Sequence, residues 1–120
     1  MAAWRVSLAA LAEADLRLLV EWSVATFGSE QAERYRAAVV ATAVELTGGP
    51  DLAGSRRRED LRPGLRSIHV ARHGRRGRHL LMYRIAAPVH IEVLRILHDA
   101  MDLPRHVGPT VDPEDPAPRR

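Results

Sequence analysis

The sequence of 120 residues contains no cysteine and no lysine. Without cysteine there is neither a disulfide nor a thiolate metal site, which fits a reducing compartment. Without lysine there is no side-chain amine to act as general base or Schiff-base former. All 18 basic residues are arginines. Arginine stays charged at any physiological pH and grips carboxylate or phosphate with two parallel hydrogen bonds. Aromatic residues are only 4%, and they do not form the interleaved aromatic and basic platform of single-strand binders. No apolar run approaches the ~20 residues of a membrane-spanning helix. Glu13 and Asp15 stand where a secretory signal would place its apolar segment, with only Arg5 before them. No signal peptide and no membrane association are expected, and the expected location is the cytoplasm.

Hydrophobic residues make up 46% of the chain and the formal net charge is +3. The length is that of one domain with one modest core. Residues 1–107 are expected to form it. The tail at 108–120, "GPTVDPEDPAPRR", carries four prolines and few apolar groups and is expected to be disordered.

Trp4, Val6 and Leu8 alternate with Arg5 and Ser7, the period of a half-buried strand. Ser7 is positioned to cap a helix starting near Leu8. Ala12, Leu16, Leu19, Val20 and Phe27 then hold one helical face, and Gly28 ends it. Ser29 is positioned to cap a second helix, with Glu30 in its first turn and a stripe of Ala32, Tyr35, Val39, Thr42 and Leu46. "GGP" at 48–50 closes that helix. Residues 51–64 read as a loop, with Pro63-Gly64 suited to a type II turn. Strands are expected at 65–71, 79–86 and 89–97, the last two joined at Ala87-Pro88. The order β-α-α-β-β-β predicts an α+β fold, a helical hairpin on one face of a small antiparallel sheet. Trp4, Trp22 and Tyr35 fall on apolar stripes and are expected to pack in the core.

Strands 79–86 and 89–97 carry apolar residues on both faces, whereas the helices can cover only one. The other face needs a cover: residues 98–107 folding back, a second copy, or a partner segment.

Five stretches resemble, in order, the ParE toxins of type II toxin–antitoxin modules, within the RelE/ParE superfamily. They are "AEADL" (12–16), "FGSEQAERY" (27–35), "DLRPGLRSI" (60–68), "RHLLMYRI" (78–85) and "EVLRILHDAMD" (92–102). The resemblance spans about residues 4–107. It implies a bacterial growth-arresting toxin that inhibits DNA gyrase without being an enzyme. It also implies a cognate ribbon-helix-helix, ParD-like antitoxin that wraps the exposed sheet face in a hetero-oligomer. Operator DNA would be met only through that antitoxin, and no cofactor is expected. The alternative within the superfamily is a ribosome-dependent messenger-RNA endoribonuclease of RelE type.

Such a nuclease needs groups that activate a 2′-hydroxyl, stabilise a charged phosphate and protonate a leaving oxygen. The candidates are Arg66, Tyr83, Arg84, Arg95 and His98, with the three arginines on or beside adjacent strands and able to converge on one phosphate. The competing role for Arg84 and Arg95 is pairing with Glu92 and neighbouring acids. Candidates for antitoxin or target contact are Arg62, Arg66, Arg75, Arg76, Arg84, Arg95, Leu94, Ile96, His98 and Met101. His98, Asp102 and His106 have helical metal-ligand spacing, but Pro104 interrupts it, so no metal is expected. Arg56-Arg57-Arg58, flanked by acids, reads as a solvated loop or as a contact to phosphate or to an acidic antitoxin. Residues 72–77, "RHGRRG", look like an insertion that lengthens a hairpin. Gly74 and Gly77 suit its tip, and Arg75 and Arg76 are expected to project into solvent.

Overall fold

A computed structural model describes residues 3–101 and 103–106, except the side chains of Pro104 and His106. The elements are β1 (Arg5–Leu8), α1 (Ala10–Phe27), α2 (Ser29–Glu45), β2 (Arg56–Arg57), β3 (Arg66–His69), β4 (His79–Ala87), β5 (His90–His98) and α3 (Leu103–His106). The sheet order is β1-β5-β4-β3-β2. Neighbours run antiparallel except β1 and β5, which are parallel, with Val6 opposite Ile91 and Leu8 opposite Val93. The sheet is therefore mixed, not wholly antiparallel. The stretch expected to be loop throughout contributes the two-residue β2. The predicted disordered tail lies outside the described residues.

The helix stripes are legible in the packing. Ala12, Val39 and Leu46 are buried against Ile68, Val70, Leu81, Tyr83, Ile91, Val93 and Ile96, with Leu16, Leu19 and Tyr35 partly buried around them. Gly28 stops α1 with φ +93° and donates its N–H to the Val24 carbonyl. Pro63-Gly64 makes the expected turn, with Gly64 at φ +79°. The expected caps do not form. α1 begins at Ala10 with no side-chain cap, and the Ser7 hydroxyl lies 2.8 Å from His90 Nε2 instead. Ser29 is already helical and makes no capping bond.

The second sheet face is closed by the chain itself. Met82, Leu94 and Leu97 are buried there with Ala9 and Leu65, and Leu61, Leu80 and Leu103 pack around them. The cover comes from the loop before β3 and from α3, so this sheet face is not left for a partner. The unpartnered apolar surface lies elsewhere. Leu18 (59% exposed), Trp22 (58%) and Phe27 (61%) stand out from α1, although the sequence pattern places Trp22 and Phe27 on the buried stripe.

Candidate functional site: a cationic groove beside the helical hairpin

A groove of about 720 Å³ opens between the helical hairpin and the segment leading into β4. Leu19, Trp22 and Phe27 of α1 and Tyr35, Ala38 and Ala41 of α2 supply apolar surface. Trp22 and Phe27 meet edge to face at 5.6 Å between ring centres. Arg34, Arg75, Arg76 and Arg78 also line it, with His79 and His98, and no Asp or Glu does. The volume falls in the range of ligand sites, roughly 300–1,000 Å³. Arg34, Arg75 and Arg78 are paired with Glu30, Glu45 and Asp99, and Arg76 has no ion pair among the described residues.

The 72–77 segment does not project into solvent as a hairpin tip; it folds back onto α2. Glu45 is the anchor. Its carboxylate accepts hydrogen bonds from Arg72 Nε (2.7 Å), lies 3.1 Å from Arg75 Nη1 and 3.7 Å from His73 Nε2. Burial raises the Glu45 pKa, but the bonds from Arg72 and Arg75 outweigh it, and the carboxyl stays below its ordinary value. Arg75 also donates to the Thr42 hydroxyl at 3.1 Å, while its Nε is buried without a partner. Arg76 is exposed and has no ion pair among the described residues. Arg75 is thus tied down and Arg76 is the one of the two that reaches outward.

Tyr35 fixes where this segment turns. A Cβ at Gly77 would stand 2.9 Å from Tyr35 Oη and 3.2 Å from Val70 Cγ1, so only glycine lets the chain pass. The Tyr35 hydroxyl accepts the Arg78 backbone N–H at 3.0 Å and sits 2.8 Å from His79 Nδ1. Burial, then the neighbouring His98, lowers the His79 pKa to about 4. Burial likewise raises the Tyr35 pKa. His79 and His98 meet edge to face at 5.2 Å. Asp99 closes the cluster. It accepts from Arg78 Nε (3.0 Å) and from His69 Nε2 (2.9 Å), and those bonds hold its pKa at about 2. His69 Nδ1 in turn accepts the Ala71 N–H at 3.0 Å.

The residues proposed as catalytic do not come together. Tyr83 is fully buried and donates to the Pro50 carbonyl at 2.7 Å. Arg66 is bonded to Asp51 and to the Pro50 carbonyl. Arg84 binds Glu92 across β4 and β5 at 2.9 Å, the pairing weighed as its structural role. Arg66 lies opposite Tyr83 in register, and Arg84 follows Tyr83, so alternation sends the two arginines to opposite sheet faces. Arg95 grips Asp15 of α1 through Nε (2.8 Å) and Nη2 (3.0 Å). Each arginine has its own carboxylate, and no shared phosphate site forms.

Of the contact candidates, Leu94 and Ile96 are buried, 2% and 4% exposed, and are core. Arg62 keeps a buried Nη1 without a partner. Met101 is exposed, and His98 lines the groove. The Arg56-Arg57-Arg58 run is partly ordered, Arg56 and Arg57 as exposed β2 and Arg58 bonded to Asp60. Among the described residues no cluster of acids and histidines could hold a metal; Asp102 lies outside them. No described helix is long and apolar enough to cross a membrane. Sequence reasoning missed Trp22, Phe27, Tyr35 and His79 as site residues. A second apolar stripe, Leu11, Leu18 and Trp22 at steps of 7 and 4, carried the signal.

The model of the family "ParE toxin of type II toxin-antitoxin system, parDE" matches residues 6–103. Toxin ParE1 of Mycobacterium tuberculosis, strains CDC 1551 / Oshkosh and H37Rv, is 28% identical over 103 residues, covering 86% of this chain and 97% of that protein. The chromosomal ParDE system of P. aeruginosa contains a chain that superposes with a TM-score of 0.66 at 22% identity, over 80% of this chain and 96% of that one. The toxin–antitoxin complex RelBE2 of M. tuberculosis contains another, with a TM-score of 0.54 at 28% identity, over 84% and 97% of the two chains. With two helices on a five-stranded mixed sheet and the family match running from β1 to α3, the chain belongs to the ParE toxin family of type II toxin–antitoxin systems.

Proposed function

We propose that this toxin acts by binding, with DNA gyrase as its target, and that a cognate ParD-like antitoxin neutralises it by laying an acidic amphipathic segment in the cationic groove. The observation that carries the binding reading is the commitment of Arg66, Arg84 and Arg95 to three separate carboxylates, with Tyr83 sealed in the core. A general acid–base site needs its groups within reach of one reacting phosphate. The antitoxin reading rests on the groove's apolar walls, with exposed Trp22 and Phe27, and on exposed Arg76, which has no ion pair among the described residues. Both solved relatives named above come from toxin–antitoxin systems. The ribbon-helix-helix part of the antitoxin, its operator DNA and a hetero-oligomeric assembly belong to the same proposal.

A ribosome-dependent endoribonuclease is the second reading. It is favoured by His79 and His98, which sit together at the groove wall beside Arg78. One experiment separates the two. Purified toxin is added to a gyrase supercoiling assay and, separately, to translating ribosomes with message. Inhibited supercoiling with intact message is expected. Cut message with untouched gyrase refutes the binding reading.

A further inference from the structure

Single exposed apolar side chains are ordinary on a protein surface; a continuous seam along one helix is not. α1 carries such a seam. Leu11 (40% exposed), Leu18 (59%) and Trp22 (58%) stand out from it, with the small Ala14 half-buried and the small Ala25 exposed on the same side. Positions 11, 14, 18, 22 and 25 advance by 3, 4, 4 and 3 residues, the spacing by which one helix packs along another. The buried residues of α1, Ala12 and Ser23, belong to a different face. Leu11 and Leu18 do not line the groove, so the groove's occupant does not account for the seam.

The spacing reads the same from either end, with Leu18 at its centre. A second copy, antiparallel and related by a two-fold axis at Leu18, therefore lays the seam on itself. Leu18 then meets Leu18, Trp22 faces Ala14, and Leu11 faces Ala25. Each outer layer sets a large side chain against a small one, as interdigitation requires. From Leu11 to Ala25 the seam is about 21 Å long, at ~1.5 Å per residue.

Charge selects the same occupant. Arg17 and Glu21 flank the seam on one side; both are exposed and neither has an ion pair among the described residues. A purely acidic partner would repel Glu21, and a purely basic one would repel Arg17. A parallel copy would set Arg17 against Arg17 and Glu21 against Glu21. In the antiparallel copy each Arg17 lies within a turn of Glu21 of the other chain. Side chains lean toward the N-terminus of their own helix, so these two lean together while the two Arg17 side chains lean apart. On the other flank Asp15 is already held by Arg95.

We infer that α1 is a self-association surface: two copies of this chain pack antiparallel through Leu11, Ala14, Leu18, Trp22 and Ala25, with the two-fold axis at Leu18. A single helix pair of this length is small beside standard interfaces of about 1,600 Å². The dimer is accordingly weak and dissociates at micromolar concentration.

The test uses the purified full chain. Sedimentation from about 1 to 200 µM is expected to show monomer passing to dimer. The chain has no cysteine, so an introduced thiol reports a single position. Under mild oxidation Leu18→Cys is expected to cross-link two copies, because the two-fold axis brings that position against itself. Leu11→Cys alone is not expected to cross-link, whereas Leu11→Cys with Ala25→Cys is. Leu18→Glu sets two carboxylates side by side, and it and Arg17→Glu are each expected to weaken dimerisation about tenfold or more. Adding Glu21→Arg to Arg17→Glu should restore it. Val44→Ser, which removes a side chain 58% exposed on α2, is the control and should change nothing. Thermal melting checks that each variant folds, and the cysteine variants carry the test if a charge variant does not. A chain monomeric throughout gives the seam to another protein and overturns the inference. Dimers that survive both charge variants overturn it too, as does cross-linking by Leu11→Cys alone as readily as by Leu18→Cys, the mark of a parallel pair.

Discussion

Removing the Asp15 carboxylate tests whether the ion pair at Arg95 is a structural tie between α1 and β5. Asp15 accepts Arg95 through both arms of the guanidinium, at 2.8 and 3.0 Å, and also the backbone N–H of Ile96 at 2.9 Å. Its side chain is 14% exposed and that of Arg95 18%. Breaking a fully buried pair by removing one partner costs about 3–5 kcal/mol. Partial solvent access places this pair at the lower end, so Asp15→Ala should cost about 3 kcal/mol. In a domain of this size that lowers the melting temperature by roughly 12 °C. Asp15→Asn keeps one carbonyl oxygen for the Ile96 N–H or for one arm of the arginine, and should lose about half as much. The assay is paired thermal and urea unfolding of parent and variants, with the slope against urea unchanged. A cost for Asp15→Ala under about 0.5 kcal/mol is the value of an exposed pair, and it would refute the reasoning.

Tyr83→Phe removes the bond to the Pro50 carbonyl inside the core and should cost about 1 kcal/mol in a melt while leaving toxicity unchanged. Gly77→Ala drives a methyl into Tyr35 and should cost about 1–3 kcal/mol; adding Tyr35→Phe should recover part of that, because the closest atom is then gone. Val89→Asn relieves left-handed strain and should stabilise the fold by about 1 kcal/mol, read as a higher melting temperature. Acid should act in two stages. Burial lowers the His79 pKa from 6.5 to about 4, so the unfolded chain binds that proton first and stability falls as pH drops from 6.5 toward 4. Asp99, held at about 2 by Arg78 and His69, adds stability that is lost below its ordinary value of 3.8. A melting series in pH should show both stages, and His79→Gln should flatten only the first.

The sequence alone determined β1, the two long helices and β3 to β5, and much of their packing. Periodicity placed the α2 stripe of Ala32, Val39, Thr42 and Leu46 in the core, and Gly28 and Pro63-Gly64 where the chain turns, because these signals act over a few residues. The resemblance of five ordered stretches gave the family. The tertiary structure decided what lies between distant segments. Leu61, Leu65 and Leu103 seal the second sheet face; the sequence allows the fold-back of residues 98–107 as one of three covers, and only the packing selects it and adds the loop before β3. The arginine-rich 72–77 segment folds onto α2 because Glu45, 27 residues before Arg72, offers one carboxylate to several cations. Arg66, Arg84 and Arg95 sit on neighbouring strands as their spacing implied, but strand alternation and separate carboxylates keep them apart. The groove is likewise a tertiary product. Trp22, Tyr35 and His79 belong to three elements, and only the packing of the hairpin against the sheet brings them to one wall.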